Sequence, residues 1–253
     1  MGDFSAKILL VAVGALSGIV STLIASAYKS HLDRTSELRK NRAEIRRDYL
    51  DPLRVASRDL RVCFELVYAR VISEKNIPQA ELKENYNLRF WFRRCKDQIV
   101  DSNDQQTEAI RRRVFAMQSG GIGCEAASTL YYAACYLYCA TRIRLKSPYI
   151  RLGTNDHELI ARIDEARSKF SQLEFYSVTQ DSTGVSMKNA SGEMKNYREF
   201  CEAITSSSEG AWFMTLADVF FKLHSQSADS AQEFLASLDR LSTFLDQSLS
   251  AKD

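Results

Sequence analysis

The stretch Ile8–Tyr28, ILLVAVGALSGIVSTLIASAY, contains no charged residue. A helix rises about 1.5 Å per residue, so a run of this length crosses about 30 Å, the thickness of a bilayer's hydrocarbon core. No other stretch limits what the chain can fold into as strongly. We read it as one transmembrane helix, with residues 1–7 as a short N-terminal tail. A signal peptide is the alternative, since Ser26-Ala27 offers the small residues that cleavage needs. The apolar run exceeds the roughly 7–15 residues usual in signal peptides, which favours an uncleaved anchor.

Basic residues give the run a direction. Lys7 precedes it, whereas Lys29, Arg34, Arg39, Lys40, Arg42, Arg46 and Arg47 follow it. The positive-inside rule then places the N-terminus outside and the C-terminal domain in the cytoplasm, a single-pass topology in the inner (cell) membrane. The same side chains are candidate contacts for lipid headgroups, at about 1 kcal/mol each near an anionic surface. Topology determination on a solvated helix face is the plainer reading. Met1-Gly2 opens like a myristoylation signal, but Ala6 stands where Ser or Thr is required.

Within the run, Gly14 and Gly18 form G-x-x-x-G, and Thr22 and Ser26 continue the stripe. Small side chains on one face let two helix backbones approach closely, so the stripe is a candidate homodimer contact. Small residues are also common in membrane helices that face lipid, and that alternative stays open.

The 253 residues include three prolines and ten glycines. So few chain-breakers favour long helices over the many turns of an all-β fold. The expected fold class is all-α: a membrane helix at 8–28, a basic helical stalk at 29–50, and a multi-helix bundle at 51–253. A net charge of +2 exerts no bulk attraction for nucleic acid, which is disfavoured as a partner. The cysteines, Cys63, Cys95, Cys124, Cys135, Cys139 and Cys201, contain no C-x-x-C pair and no zinc spacing. Free thiols in apolar stretches fit a reducing compartment.

Asp51-Pro52 is expected to break the stalk helix and start another, with Asp as N-cap and Pro as first helical residue. Leu53, Ala56, Leu60, Phe64, Val67 and Val71 then recur at three- and four-residue spacing, the mark of an amphipathic helix. Phe90, Trp91 and Phe92 are adjacent and cannot share one helix face; burial between helices is the usual fate of such rings. The stretch Cys124–Lys146 is apolar on nearly every face, so it should form a central buried helix.

Its tyrosines, Tyr131, Tyr132, Tyr136 and Tyr138, stand near Arg142, Arg144 and Lys146. That could serve single strands as a stacking surface, but core tyrosines beside a charged helix end explain it as well. Gly121, Gly123 and Ala126 spell G-x-G-x-x-A, yet a dinucleotide site needs a strand before it. The preceding residues are arginine-rich and helical in pattern, so a helix-to-helix turn is the reading.

Asn155 with Glu158 resembles a helix cap. Phe175–Met187, with Asp181-Ser-Thr-Gly184 at its middle, is the one plausible hairpin, and a long loop is the alternative. Helices are expected again over Gly192–Thr205, over Ala211–Leu223 with Trp212, Phe213, Leu216, Phe220 and Leu223, and in a last helix opened by a Ser230/Glu233 capping box.

One N-terminal span, then Tyr49-x-Asp51-Pro52-Leu53 and Asp59-Leu60, then a tyrosine-rich central helix, then Gly192-Glu193 and Arg198-Glu199 before an aromatic helix: in this order the chain resembles a family of uncharacterised bacterial single-span, membrane-anchored helical proteins. The resemblance implies an architecture and a bacterial setting, and no activity.

His31, His157 and His224 read as surface or helix-end residues, and no H-E-x-x-H, P-loop or G-x-S-x-G occurs. The chain therefore reads as a membrane-tethered interaction module with an unknown protein partner and no cofactor. The alternative is an unrecognised membrane-bound enzyme or small-ligand sensor, whose pocket would gather groups such as Glu65, Arg198 and Glu199. A lipid- or nucleic-acid-binding role ranks third and would need one basic face joining Arg93, Arg94, Arg111, Arg112 and Arg113.

Overall fold

The computed structural model describes residues 26, 29–33, 35–40, 43–75, 88–89, 91–93, 122–147, 155–204, 210–225 and 228–250. The chain divides into two compact units, Met1–Arg47 and Asp48–Asp253. In the first unit, residues 29–33, 35–40 and 43–45 are helical. The Ile8–Tyr28 span lies outside the described residues, apart from Ser26. Among the described residues, no helix is long and apolar enough to cross a membrane.

The second unit is a helical bundle. Its elements are α1 (Asp51–Lys75), α2 (Ile122–Lys146), α3 (Asp156–Ser171), α4 (Ser177–Ser186), α5 (Tyr197–Ala203), α6 (Gly210–Lys222), a 3-10 turn (Leu223–Ser225) and α7 (Ala228–Ser250). Helix α1 packs on α2, α2 on α4, α4 on α3, α3 on α7, and α7 back on α1, which closes a ring. Helix α6 lies against α4 and α2. Among the described residues the secondary structure is helical, with one isolated antiparallel bridge, Lys188 to Met194.

The α1 stripe Leu53, Ala56, Leu60, Phe64, Val67 and Val71 is buried, as its spacing predicts. Each large apolar side chain so buried stabilises the fold by about 1.5–3 kcal/mol. Helix α2 is buried without interruption from Ala133 to Thr141, because neighbours cover it on several sides. Phenylalanines join the ring. Phe64 on α1 meets Phe234 on α7 with ring centroids 5.1 Å apart, and Phe220 on α6 at 5.7 Å. Phe234 stacks on Phe170 of α3 at 4.5 Å, and Phe220 stacks on Phe92 at 5.2 Å. Of the 90–92 aromatics, Phe92 is buried, Trp91 is half-buried, and Phe90 lies outside the described residues.

Three expectations need correction. Asp51-Pro52 does not break the helix. The π-helical turn Arg46–Leu50 leads directly into α1, which starts at Asp51 as expected, with Pro52 as its second residue. Second, the 175–187 segment is no hairpin, since Ser177–Ser186 is helix α4. Its valines and threonines resemble a strand, but tertiary packing overrides that weak preference. Third, the helix expected from Gly192 begins at Tyr197, behind a capping box of Asn196 and Glu199. Gly192 itself has φ +88°, the left-handed region, and belongs to the turn before the helix.

The caps also differ from one another. Asn155 caps α3, with its side chain accepting from the Glu158 N–H, as the sequence suggests. Ser230 does not open α7: the helix is already running at Ala228, and the Glu233 carboxylate accepts from Lys169 of α3.

Candidate functional site

Helix α4 carries few large apolar residues, so polar groups hold it to α2 and α3. Arg167 on α3 is 3% exposed, although its guanidinium is charged. That guanidinium lies 2.9 Å from the Asp181 carboxylate of α4, and donates to the Thr141 hydroxyl at 3.4 Å and to the Ser177 carbonyl at 3.3 Å. Thr141 on α2 donates to the same Asp181 oxygen at 3.0 Å. Arg144 reaches Asp164 at 2.9 Å and Asp181 at 3.7 Å. Two cations thus face two carboxylates, which satisfies the rule that buried charge must be paired.

Gln180, wholly buried, completes the joint. Its amide nitrogen donates to the carbonyls of Phe175 at 2.6 Å and Arg167 at 2.9 Å, and to the Ser171 hydroxyl. One turn on, Gly184 meets α2 so closely that a Cβ there would lie 2.8 Å from the Leu137 carbonyl oxygen. Tyr136 is buried against this cluster, and its hydroxyl meets no hydrogen-bond partner among the described residues. Burial raises the Tyr136 pKa, and the nearby Arg167 charge only partly offsets that rise. The phenol therefore stays protonated.

The thiols are equally quiet. Burial pushes Cys135 up to about 12 and raises Cys139 as well. Burial first, then the Asp59 charge, raises Cys63. Thiols are nucleophilic as thiolates, so these behave as packing groups at neutral pH. Cys95 lies outside the described residues. Among the described residues, no three His, Cys, Asp or Glu side chains gather as a metal site.

The outer surface offers a different feature. On α1, Val55, Val62 and Leu66 are 41%, 46% and 63% exposed. Steps of seven and four put them on one helix face, opposite the buried stripe. Arg58 and Glu65 flank them, also exposed. The buried stripe was legible from spacing; the exposed one was also in the sequence, but spacing alone does not tell which of two apolar faces a bundle covers.

The sequence-derived candidates distribute as follows. Gly14, Gly18, Thr22, Arg34 and Arg42 lie outside the described residues, while Ser26 is helical and exposed. Lys29, Arg39, Lys40 and Arg47 are exposed on helix, and Arg46 is half-buried. Glu65 pairs with Arg61 along α1, Arg198 pairs with Glu202 along α5, and Glu199 caps α5. Each is engaged within its own element rather than in a shared pocket. Arg93 is exposed; Arg94, Arg111, Arg112 and Arg113 lie outside the described residues.

Tyr136 and Tyr138 of α2 are buried, and Tyr131 and Tyr132 are half-buried. Tyr131 lies edge-on to Tyr197 at 5.3 Å and to Phe200 at 5.5 Å. Arg142 covers the Tyr49 ring at 4.5 Å instead of presenting a free cation. Gly123 and Ala126, from the G-x-G-x-x-A stretch, are buried within the first turns of α2, so this stretch forms helix, not a phosphate loop. Gly121 lies outside the described residues.

No known protein family, curated protein or solved structure matches this chain.

Proposed function

We propose that this chain is a membrane-tethered helical interaction module that offers the outer face of α1 to a protein partner. The exposed Val55–Val62–Leu66 face carries the reading. Three branched apolar side chains aligned on one helix face cost solvation unless another surface covers them. Tethering rests on the uncharged Ile8–Tyr28 run and the basic residues after it, which assign the domain to the cytoplasmic side of a bacterial inner membrane. Pairing through Gly14, Gly18, Thr22 and Ser26 would bring two such modules together, and Lys29 to Arg47 would meet lipid headgroups.

Affinity purification from native membranes tests this, using the intact chain, a chain lacking residues 1–28, and a Leu66→Glu variant. The intact chain is expected to recover a reproducible protein partner, and Leu66→Glu to weaken that capture about tenfold or more. The substitution lies on the surface and should leave stability within about 0.5 kcal/mol. Absence of any reproducible partner at both low and high salt would sink the proposal.

The second reading, an enzyme or small-ligand sensor, draws its support from the buried Arg167 cluster. An anionic ligand there would have to displace Asp181 from the guanidinium, and that carboxylate is held by Thr141 as well.

A further inference from the structure

Helix α1 carries a second periodic seam besides its buried stripe. Val55, Arg58, Val62, Glu65 and Ala69 are exposed, and so is Leu66. Their steps of three, four, three and four give the period by which one helix lies along another. Val55 stands seven residues before Val62, and Ala69 seven after it. Arg58 stands four before Val62, and Glu65 three after it. The Arg58 and Glu65 side chains keep 65% and 60% of their surface open. Within the chain, Arg58 lies 3.4 Å from Asp59, and Glu65 lies 3.7 Å from Arg61. Exposed pairs of this kind hold their members weakly, so both charges stay available to another surface.

A second copy of α1, turned about a two-fold axis at Val62, meets this seam without conflict. Val62 then packs on its own counterpart, Val55 falls opposite the small Ala69, and Arg58 comes beside Glu65 twice over. A parallel copy would set Arg58 against Arg58 and Glu65 against Glu65, and like charges oppose that. Closed two-fold pairing is the commonest form of homo-oligomer, and it requires such a self-complementary patch. We propose that the occupant of the outer α1 face is a second copy of this chain, bound antiparallel through Val55, Arg58, Val62, Glu65 and Ala69. The inference rests on reading this face as a docking surface and names its partner. A seam of five residues is small beside the roughly 1,200–2,000 Å² of a stable interface. The pair therefore forms where copies are concentrated, as chains held on one membrane are.

Two differently tagged full-length copies, co-expressed and solubilised together, test it. Capture through one tag should recover the other copy. Arg58→Glu opposes carboxylates across the axis, and Glu65→Arg opposes guanidinium groups; each should lower recovery about tenfold. The double variant Arg58→Glu/Glu65→Arg restores opposite charges at both places, and recovery should return to near the parent level. Arginine and glutamate have similar helix propensities, so the swaps leave α1 intact. Recovery that ignores all three variants, as pairing through the span alone would give, overturns the proposal. So does a double variant as weak as the single ones. Recovery of a different protein that Leu66→Glu abolishes, with no second copy, overturns self-pairing and leaves the docking surface standing. Recovery of neither sinks both.

Discussion

Gly184 shows how one missing side chain sets the distance between two helices. A Cβ at this position would lie 2.8 Å from the Leu137 oxygen and 3.0 Å from the Thr141 hydroxyl. The first is backbone and cannot swing aside, so α4 would have to retreat from α2. That retreat would stretch the Asp181 contacts to Arg167 and Thr141. Gly184→Ala is therefore expected to destabilise the domain by about 1–3 kcal/mol, although alanine is the better helix former. Urea unfolding followed by circular dichroism checks this; a variant as stable as the parent would show that α2 and α4 do not need the close approach. In the sequence this glycine looked like a turn residue, within Asp181-Ser-Thr-Gly184. Whether a glycine supplies a turn or a close contact depends on what stands opposite, and that partner is 47 positions earlier in the chain.

At the scale of elements, helices with a strong apolar period could be read directly, and the shorter, polar ones could not. Helix α1 buries the stripe its pattern nominates, and α2 is buried from Ala133 to Thr141, although Leu145 near its end is exposed. Helix α4 has no comparable stripe. Its buried residues include Gln180, Thr183 and Gly184, so burial there follows hydrogen bonding and close packing instead of hydrophobicity. A pattern search based on apolar period misses such an element. Trp212, expected in the core stripe of α6, is 41% exposed, since Phe213 takes the inward position beside Phe200.

Short helices depend most on their ends. Helix α5 spans seven residues, too few to hold together without capping or packing. The Asn196 side chain accepts from the Glu199 N–H at 3.0 Å, and the Glu199 carboxylate accepts from the Asn196 N–H at 2.8 Å. Asn196→Ala removes one half of this box and should cost about 1 kcal/mol. Exchange of the first α5 amides should accelerate before that of any α2 amide. Equal acceleration throughout the bundle would mean that α5 does not open by itself.

For the whole molecule, the buried thiols and phenols of α2 make stability sensitive to alkali. The Cys135 thiol titrates near 9.0 when exposed and is held at about 12 in the fold. The raised value means the folded state keeps a proton that the unfolded chain gives up. Stability from this group is therefore complete below about pH 9 and falls as pH rises toward 12, by roughly 1.4 kcal/mol per unit. Cys139 and Tyr131 shift in the same direction and for the same first cause, burial. Urea midpoints measured at pH 8 and pH 10 should differ clearly, and Cys135→Ala should narrow the difference. A flat profile over that interval would show that the thiols are not shielded as the packing of α2 requires.

The ring of helices also fixes when the domain can be finished. Ser57 and Ser242 share a hydrogen bond across 185 residues, and Phe64 finds Phe234 at a similar separation. A ribosome adds about 5–20 residues per second, so α1 is made well before its partner α7 exists. The bundle can close only once α7 has been made, and until then Phe64 lacks its Phe234 contact. A nascent chain in that state is a natural client for chaperones, and truncation within α7 should leave it there.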